Sequence, residues 1–241
     1  MNITVSGLDN GSGGSKIRPA AVAGQFYDGN PARLQSNIDK MRNEIGDVEP
    51  VDEVRALILP HAGYVYSGKA ALEAILKAAG NRYRRALIMA PSHRVGFEGA
   101  AMCSYEAYST PLGDVPVDLE AVKTLQDQSG VLLQTIDRAH DNEHALEVEI
   151  PLLQSVFKDL PIVPLITGYV DVSSAKKLAE KMKYLWNSET LWVISSDFTH
   201  YGHGFGYVPF RNNIPERLRE LDLGAAGYIT KCDLEGFAGY L

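Results

Sequence analysis

RALILPHAGYVYSG, residues 55–68, holds four apolar residues in a row, then a proline and a histidine. An unbroken run such as Ala56, Leu57, Ile58 and Leu59, with no polar alternation, reads as a strand buried on both faces, and Pro60 ends it. His61 then stands at the carboxyl end of the strand, where open α/β sheets hold their ligands. The device recurs twice. In RALIMAPSH, residues 85–93, His93 follows an apolar run by way of Pro91 and Ser92; in LWVISSDFTH, residues 191–200, a run to Ile194 leads to Ser195, Ser196, Asp197 and His200. If these three strands are parallel neighbours, the three histidines share one edge of a sheet.

The rest of the chain fits around these strands. Asn30 caps a helix with Pro31 at its first position and Leu34, Ile38 and Met41 on one stripe. Phe26 and Tyr27, just before it, read as core or pocket wall. Ser67 caps a helix through Ala70, Ala71, Ile75 and Leu76 towards Gly80, of the kind that joins parallel strands. Pro111, Gly113 and Pro116 break residues 98–117 into hairpin-like excursions. Asp118 caps a further helix through Leu125. In HDNEHALEVEIPLLQSVF, residues 140–157, Leu146, Ile150, Leu153 and Phe157 recur at helical spacing, with Pro151 implying a kink or a delayed start. A strand over residues 161–166 follows, then a helix from Ser173 or Ser174 to Trp186, and the segment from Arg211 is helical. The prediction is a single α/β domain over residues 17–241, with a mainly parallel central sheet flanked by helices. Residues 1–16, with GLDNGSGGS, read as a flexible leader.

Composition narrows the function. The chain has 241 residues, 45% of them apolar, enough for one full core, and a net charge of -7 with no cluster of Lys and Arg. A nucleic-acid partner is not expected. Nor is a membrane: no apolar stretch approaches the ~20 residues of a transmembrane helix, and a cytoplasmic location is the expectation. Cys103 and Cys232 are too far apart in sequence to suggest a disulfide framework or a zinc ribbon.

Two neutral imidazoles and an anionic ligand can hold a divalent transition metal and leave positions free for a substrate and for oxygen or water. His61 and His93 are the first two candidate ligands, since each follows a buried strand by the same short step through proline. Taken singly, either histidine reads more readily as a strand cap or as bonded to a neighbouring backbone group; the matching contexts carry the assignment. In SSDFTHYGHGFGY, Asp197 and His200 lie three apart, so that the carboxylate can orient an imidazole acting as general acid or base. His203 reads as a surface residue of that loop. His144 and Glu147 are also three apart, and by spacing alone they read as a helix-surface pair. There is no suitably placed GxGxxG, no GxSxG and no Walker loop.

Six segments occur in an order that resembles the Memo family: RPAAVAGQFY, LPHAGYVYSG, APSHRVGFEG, YSTPLGDVPVD, NEHALEVEIPLLQ and VISSDFTHYG. The resemblance runs from about Ile17 to the last residue. It implies a fold similar to the class III extradiol ring-cleaving dioxygenases, which hold non-haem iron with two histidines and a carboxylate. By position, His61 and His93 match the two imidazole ligands, and His200 with Asp197 beside it matches the acid/base histidine. His144 and Glu147 fall in an EHALE segment that the resemblance assigns to substrate binding in the same cavity. The family's third ligand is a cysteine in an Ile-Cys-Gly segment after the last helix; the sequence stops at Leu241 without it, and Cys232 does not match it. The implied activity is that of a metal-dependent oxidoreductase acting on a catecholic or other chelating substrate, with iron(II) favoured and copper second. The alternatives are a non-catalytic protein binding a small molecule or peptide in the same cavity, and a metal-assisted hydrolase. AMMECR1-like and radical-SAM proteins are the implied partners.

Overall fold

The computed structural model describes residues 15–128 and 130–240. The predicted leader lies outside these residues except for its end, where the Ser15 hydroxyl donates to Glu106 and Lys16 pairs with Asp137.

Strand β1 (Ile17–Arg18) leads to helix α1 (Pro31–Ile45), capped as predicted by the Asn30 side chain, which accepts from the Arg33 N–H, with Leu34 and Ile38 buried. After β2 (Ala56–Leu59), helix α2 (Tyr64–Lys77) starts three residues before the predicted Ser67 cap. Gly63 is its N-cap, and Ser67 instead donates to the Ala62 carbonyl from inside the first turn. A tertiary contact accounts for the early start: the Tyr64 hydroxyl reaches the Val148 carbonyl at 2.7 Å. Then come β3 (Arg85–Pro91), β4 (Ala100–Met102), and a hairpin of β5 (Ala107–Thr110) and β6 (Gly113–Pro116). Helix α3 (Leu119–Asp127) is capped by Asp118, which accepts from the Ala121 N–H, and β7 (Leu133–Thr135) follows.

The predicted helix over residues 140–157 is three pieces, α4 (Asp137–Asp141), α5 (His144–Glu147) and α6 (Glu149–Phe157). Pro151 falls in the first turn of α6, where a missing N–H breaks no intrahelical bond. After β8 (Ile162–Thr167), helix α7 (Val172–Met182) is capped by Asp171, not by Ser173 or Ser174. A carboxylate is the stronger acceptor at the positive end of a helix, and Asp171 takes the Ser174 N–H at 2.7 Å. The chain closes with β9 (Thr190–Ser195), α8 (Ile214–Thr230) and α9 (Leu234–Tyr240).

The central sheet runs β2-β9-β3-β8-β4-β7, and β1, β5 and β6 form a smaller one. Strands β2, β9, β3 and β8 are parallel, while β4 enters antiparallel to β8. The three histidine strands are therefore adjacent and parallel, which meets the condition on which their histidines share one sheet edge. A continuous core joins the central sheet to α1, α2 and α6 in one domain. On the sheet face of Leu59, Val193, Ser195 and Ile88 these residues are buried; on the other, burial thins towards the edge, from Leu165 through Ile194 to Ile58, which is 38% exposed. The unbroken apolar run of β2 thus belongs to an edge strand with one open face, since its only strand neighbour among the described residues is β9. Among the described residues no helix is long and apolar enough to cross a membrane.

Candidate metal centre

His61 sits two residues beyond β2, on a turn that β9 helps to shape. The Ser196 N–H prolongs the β2–β9 ladder by donating to the Leu59 carbonyl at 2.8 Å, and Asp197 then takes the His61 backbone N–H at 2.8 Å. His93 lies two residues beyond β3. Its backbone N–H donates to Glu143 at 2.7 Å, and its Nδ1 lies 2.9 Å from the other oxygen of that carboxylate. His144, the first residue of α5, has its own Nδ1 3.2 Å from the same Glu143 oxygen. The three imidazoles meet, with ring centroids 4.6–5.5 Å apart and one donor nitrogen from each within 4.8 Å of the others. Phe26 packs on His144 at 4.6 Å between centroids, as a wall of the site. His61 is buried, His144 half-buried and His93 exposed, so the group opens to solvent on the His93 side.

Glu143 organises this group. An ionised carboxylate only accepts hydrogen bonds, so the two rings that reach it present Nδ1–H, and their Nε2 lone pairs remain free. Glu143 also caps α5 by accepting from the Ala145 N–H. Burial by itself would raise the Glu143 carboxyl; the hydrogen bonds from His144, from the His93 and Ala145 backbone and from the His93 ring outweigh it and hold the group down at about 2. His61 shifts the other way on the same logic. Burial pushes its imidazole down to about 4, against the pull of Asp197 and with the push of His93 and His144. For His61 this environment favours the neutral imidazole, the form that ligates a metal.

Asp197 stands between His61 and His200, its Oδ2 3.7 Å from His61 Nε2 and 3.3 Å from His200 Nε2. His200 is outside the group of three, half exposed and packed on Phe205. A cavity of about 480 Å³ opens beside this pair, lined by Pro60, Ala62, Phe198 and Asp222 among others.

Glu147 lies elsewhere. It is fully buried, and its carboxylate pairs with Arg18, accepts from the Ala21 and Val22 N–H groups and takes the Tyr27 hydroxyl. Arg18, itself buried, adds bonds to the His140 and Glu143 carbonyls. In place of the ligand-facing position implied for it, Glu147 anchors the segment that carries Phe26. The spacing of three that puts His144 and Glu147 on neighbouring positions does not aim both at one cavity, because the buried guanidinium draws the carboxylate away. Neither Cys103, buried in the core, nor Cys232, exposed, belongs to the histidine group. Among the described residues the third donor beside His61 and His93 is His144.

A family model described as Memo-like protein matches residues 18–241. The chain belongs to the Memo family. A MEMO1 family protein of Thermococcus onnurineus is 30% identical over 236 residues, covering 93% of this chain and 80% of that protein. Protein MEMO1 of Xenopus tropicalis is 30% identical over 232 residues, or 93% of this chain and 77% of its own length. The memo-1 homolog of Caenorhabditis elegans is 31% identical over 235 residues, 95% of this chain and 66% of that protein. In this Memo chain, then, His61, His93 and His144 form a group able to hold a metal ion. Sequence reasoning missed Glu143 as their clamp; its only trace there is its place immediately before His144, at a helix start.

Proposed function

We propose that this Memo protein is a metal-dependent oxidoreductase similar to the extradiol dioxygenases, acting on a small chelating substrate such as a catechol. The observation that carries this reading is the convergence of His61, His93 and His144 beside the Asp197–His200 pair. A divalent metal held by the three imidazoles supplies Lewis acidity and open coordination positions for a substrate. The protein supplies the rest. Glu143 keeps two of the rings oriented, and the exposed His93 side admits the substrate. Asp197 accepts the Nε2–H of His200, which leaves Nδ1 of that ring to take a proton from a substrate hydroxyl and return it later. The cavity next to His200 gives a single-ring compound room to lie against it.

A second reading is metal-assisted hydrolysis. It is favoured by the donor set, since three histidines with an open fourth position also make catalytic zinc sites. Imidazole accepts iron, copper and zinc, so the first experiment is metal analysis of protein prepared without oxygen, with iron(II) the expected ion and copper the next. Oxygen uptake against a panel of catechols follows, with ester hydrolysis measured in parallel. Uptake with consumption of the catechol supports the first reading, and hydrolysis alone supports the second. Bound metal with neither activity leaves the histidine group as a binding site for a small molecule or peptide.

A further inference from the structure

Below the histidine group, on the buried face of the sheet, three hydrogen-bond contacts converge on one hydroxyl. Ser195 Oγ lies 2.7 Å from the Ala145 carbonyl, 2.9 Å from Glu149 Oε1 and 3.0 Å from His61 Nδ1. Glu149 is fully buried, and its Oε2 has no hydrogen-bond partner. A serine hydroxyl has one proton to give and two lone pairs to receive with. The Ala145 carbonyl can only accept, and it makes the shortest of the three contacts, so it takes the Ser195 proton. The two remaining contacts are then donated to Ser195, by Nδ1–H of His61 and by an O–H of Glu149. No other placement of protons makes all three bonds. An ionised Glu149 would instead leave a buried charge with one oxygen unsatisfied, a costly arrangement, and burial pushes this carboxyl up to about 8.

We propose that Ser195, backed by a protonated Glu149, is the positioning device that holds His61 in its Nδ1–H tautomer and turns Nε2 towards the other two histidines. The inference rests on the reading of His61 as a metal ligand only for its consequence, not for its geometry. It makes the group asymmetric. An anion, Glu143, holds His93 and His144, whereas a neutral hydroxyl and carboxylic acid hold His61. Two of the three imidazoles thus have an anion behind Nδ1, and the third has neutral groups there, with Asp197 3.7 Å from its Nε2.

The test uses the full metal-free chain with ¹⁵N-labelled histidine. Long-range ¹H–¹⁵N correlations report the tautomer of each ring, and an infrared difference between wild type and Glu149→Gln reports a carboxylic-acid band. In wild type at neutral pH, His61 should be Nδ1–H and the acid band present. Ser195→Ala should mix the His61 tautomers while leaving His93 unchanged, which also shows that the fold is intact, and should weaken Zn²⁺ binding ~10- to 100-fold. Glu149→Gln should keep the His61 tautomer, because its amide N–H donates to Ser195 as the acid does. An Nε2–H tautomer in wild type, or an unchanged His61 in Ser195→Ala, overturns the positioning role. Absence of the acid band, or loss of the tautomer in Glu149→Gln, overturns the protonated Glu149. If the tautomers behave as expected but wild type binds no Zn²⁺, the positioning stands and the metal-centre reading fails.

Discussion

Three imidazoles within a few ångströms of one another repel as soon as they carry charge, and the side chains behind them decide how they are aimed. Glu143 holds two of them with one carboxylate. Glu143→Gln keeps the volume but replaces an acceptor oxygen with an amide donor, so it should weaken metal binding ~10- to 100-fold, as losses behind metal-ligating histidines commonly do; a calorimetric titration of both proteins checks this. His200 lies outside the group of three, and in the proposed reaction it moves protons. His200→Gln should leave metal content intact while lowering turnover per bound metal by about 10²- to 10⁴-fold, and equal, non-zero turnover at equal occupancy would rule out its proton role. His140 sets a pH limit of another kind. It is buried between the Tyr108 hydroxyl and the Ala101 carbonyl, and burial pushes its imidazole from 6.5 down to about 4, against the pull of the Ala101 bond. The unfolded chain accepts this proton more readily than the folded one does. Stability is therefore full above pH ~6.5 and falls as the pH drops towards 4, with about 3 kcal/mol lost through this residue. Urea unfolding of wild type and His140→Gln across that range should show a shallower pH dependence in the variant, with His61 contributing the same sign to both.

At the scale of elements, the site depends on strand ends meeting in register. The parallel β2, β9 and β3 are joined by long connections, but β4 turns back to pair antiparallel with β8 through a tight crossing. Gly99 has a φ of +85° there, and a Cβ on it would collide with the Leu132 carbonyl; a Cβ on Gly168 would collide with the Phe97 carbonyl. Backbone atoms cannot move aside as a flexible side chain can. Gly99→Ala and Gly168→Ala should each cost about 2–4 kcal/mol, against ~1 kcal/mol for removing an exposed helix cap by Asn30→Ala. Urea midpoints for the three variants test that order, and a Gly168→Ala protein as stable as wild type would refute the steric argument. The helix caps show the limit of local reading. Asn30 and Asp118 are found where the sequence puts them, whereas α2 starts early because Tyr64 has a distant partner in Val148.

At the scale of the whole molecule, Arg18 ties the amino-terminal segment to the helix that carries His144. Its guanidinium is buried against Glu147 and two carbonyls more than a hundred residues away in sequence. Arg18→Leu would leave the Glu147 carboxylate buried without its cation, so a loss of about 3–5 kcal/mol is expected. The double change Arg18→Leu with Glu147→Leu should recover part of it, because two apolar side chains leave no charge unpaired. Chemical denaturation of the single and double variants measures the coupling.

What the sequence determined by itself is the frame and the edge on which the chemistry sits. Short apolar runs that end at Pro60, Pro91 and Ser195 are local signals, and parallel pairing of such runs leaves His61, His93 and Asp197 few places to go. What only the tertiary structure decided is how the side chains share that edge. His144 joins the group as a third donor and Glu147 turns from it to Arg18, although both lie in one short helix. Glu143 and Ser195 act from behind the rings. Helical or strand spacing shows which residues are neighbours along an element, but the direction of a buried charge follows from where its counter-charge and hydrogen-bond donors lie. Here these come from Arg18, Ala21, His93 and Ala145, and only the packed fold brings them within reach.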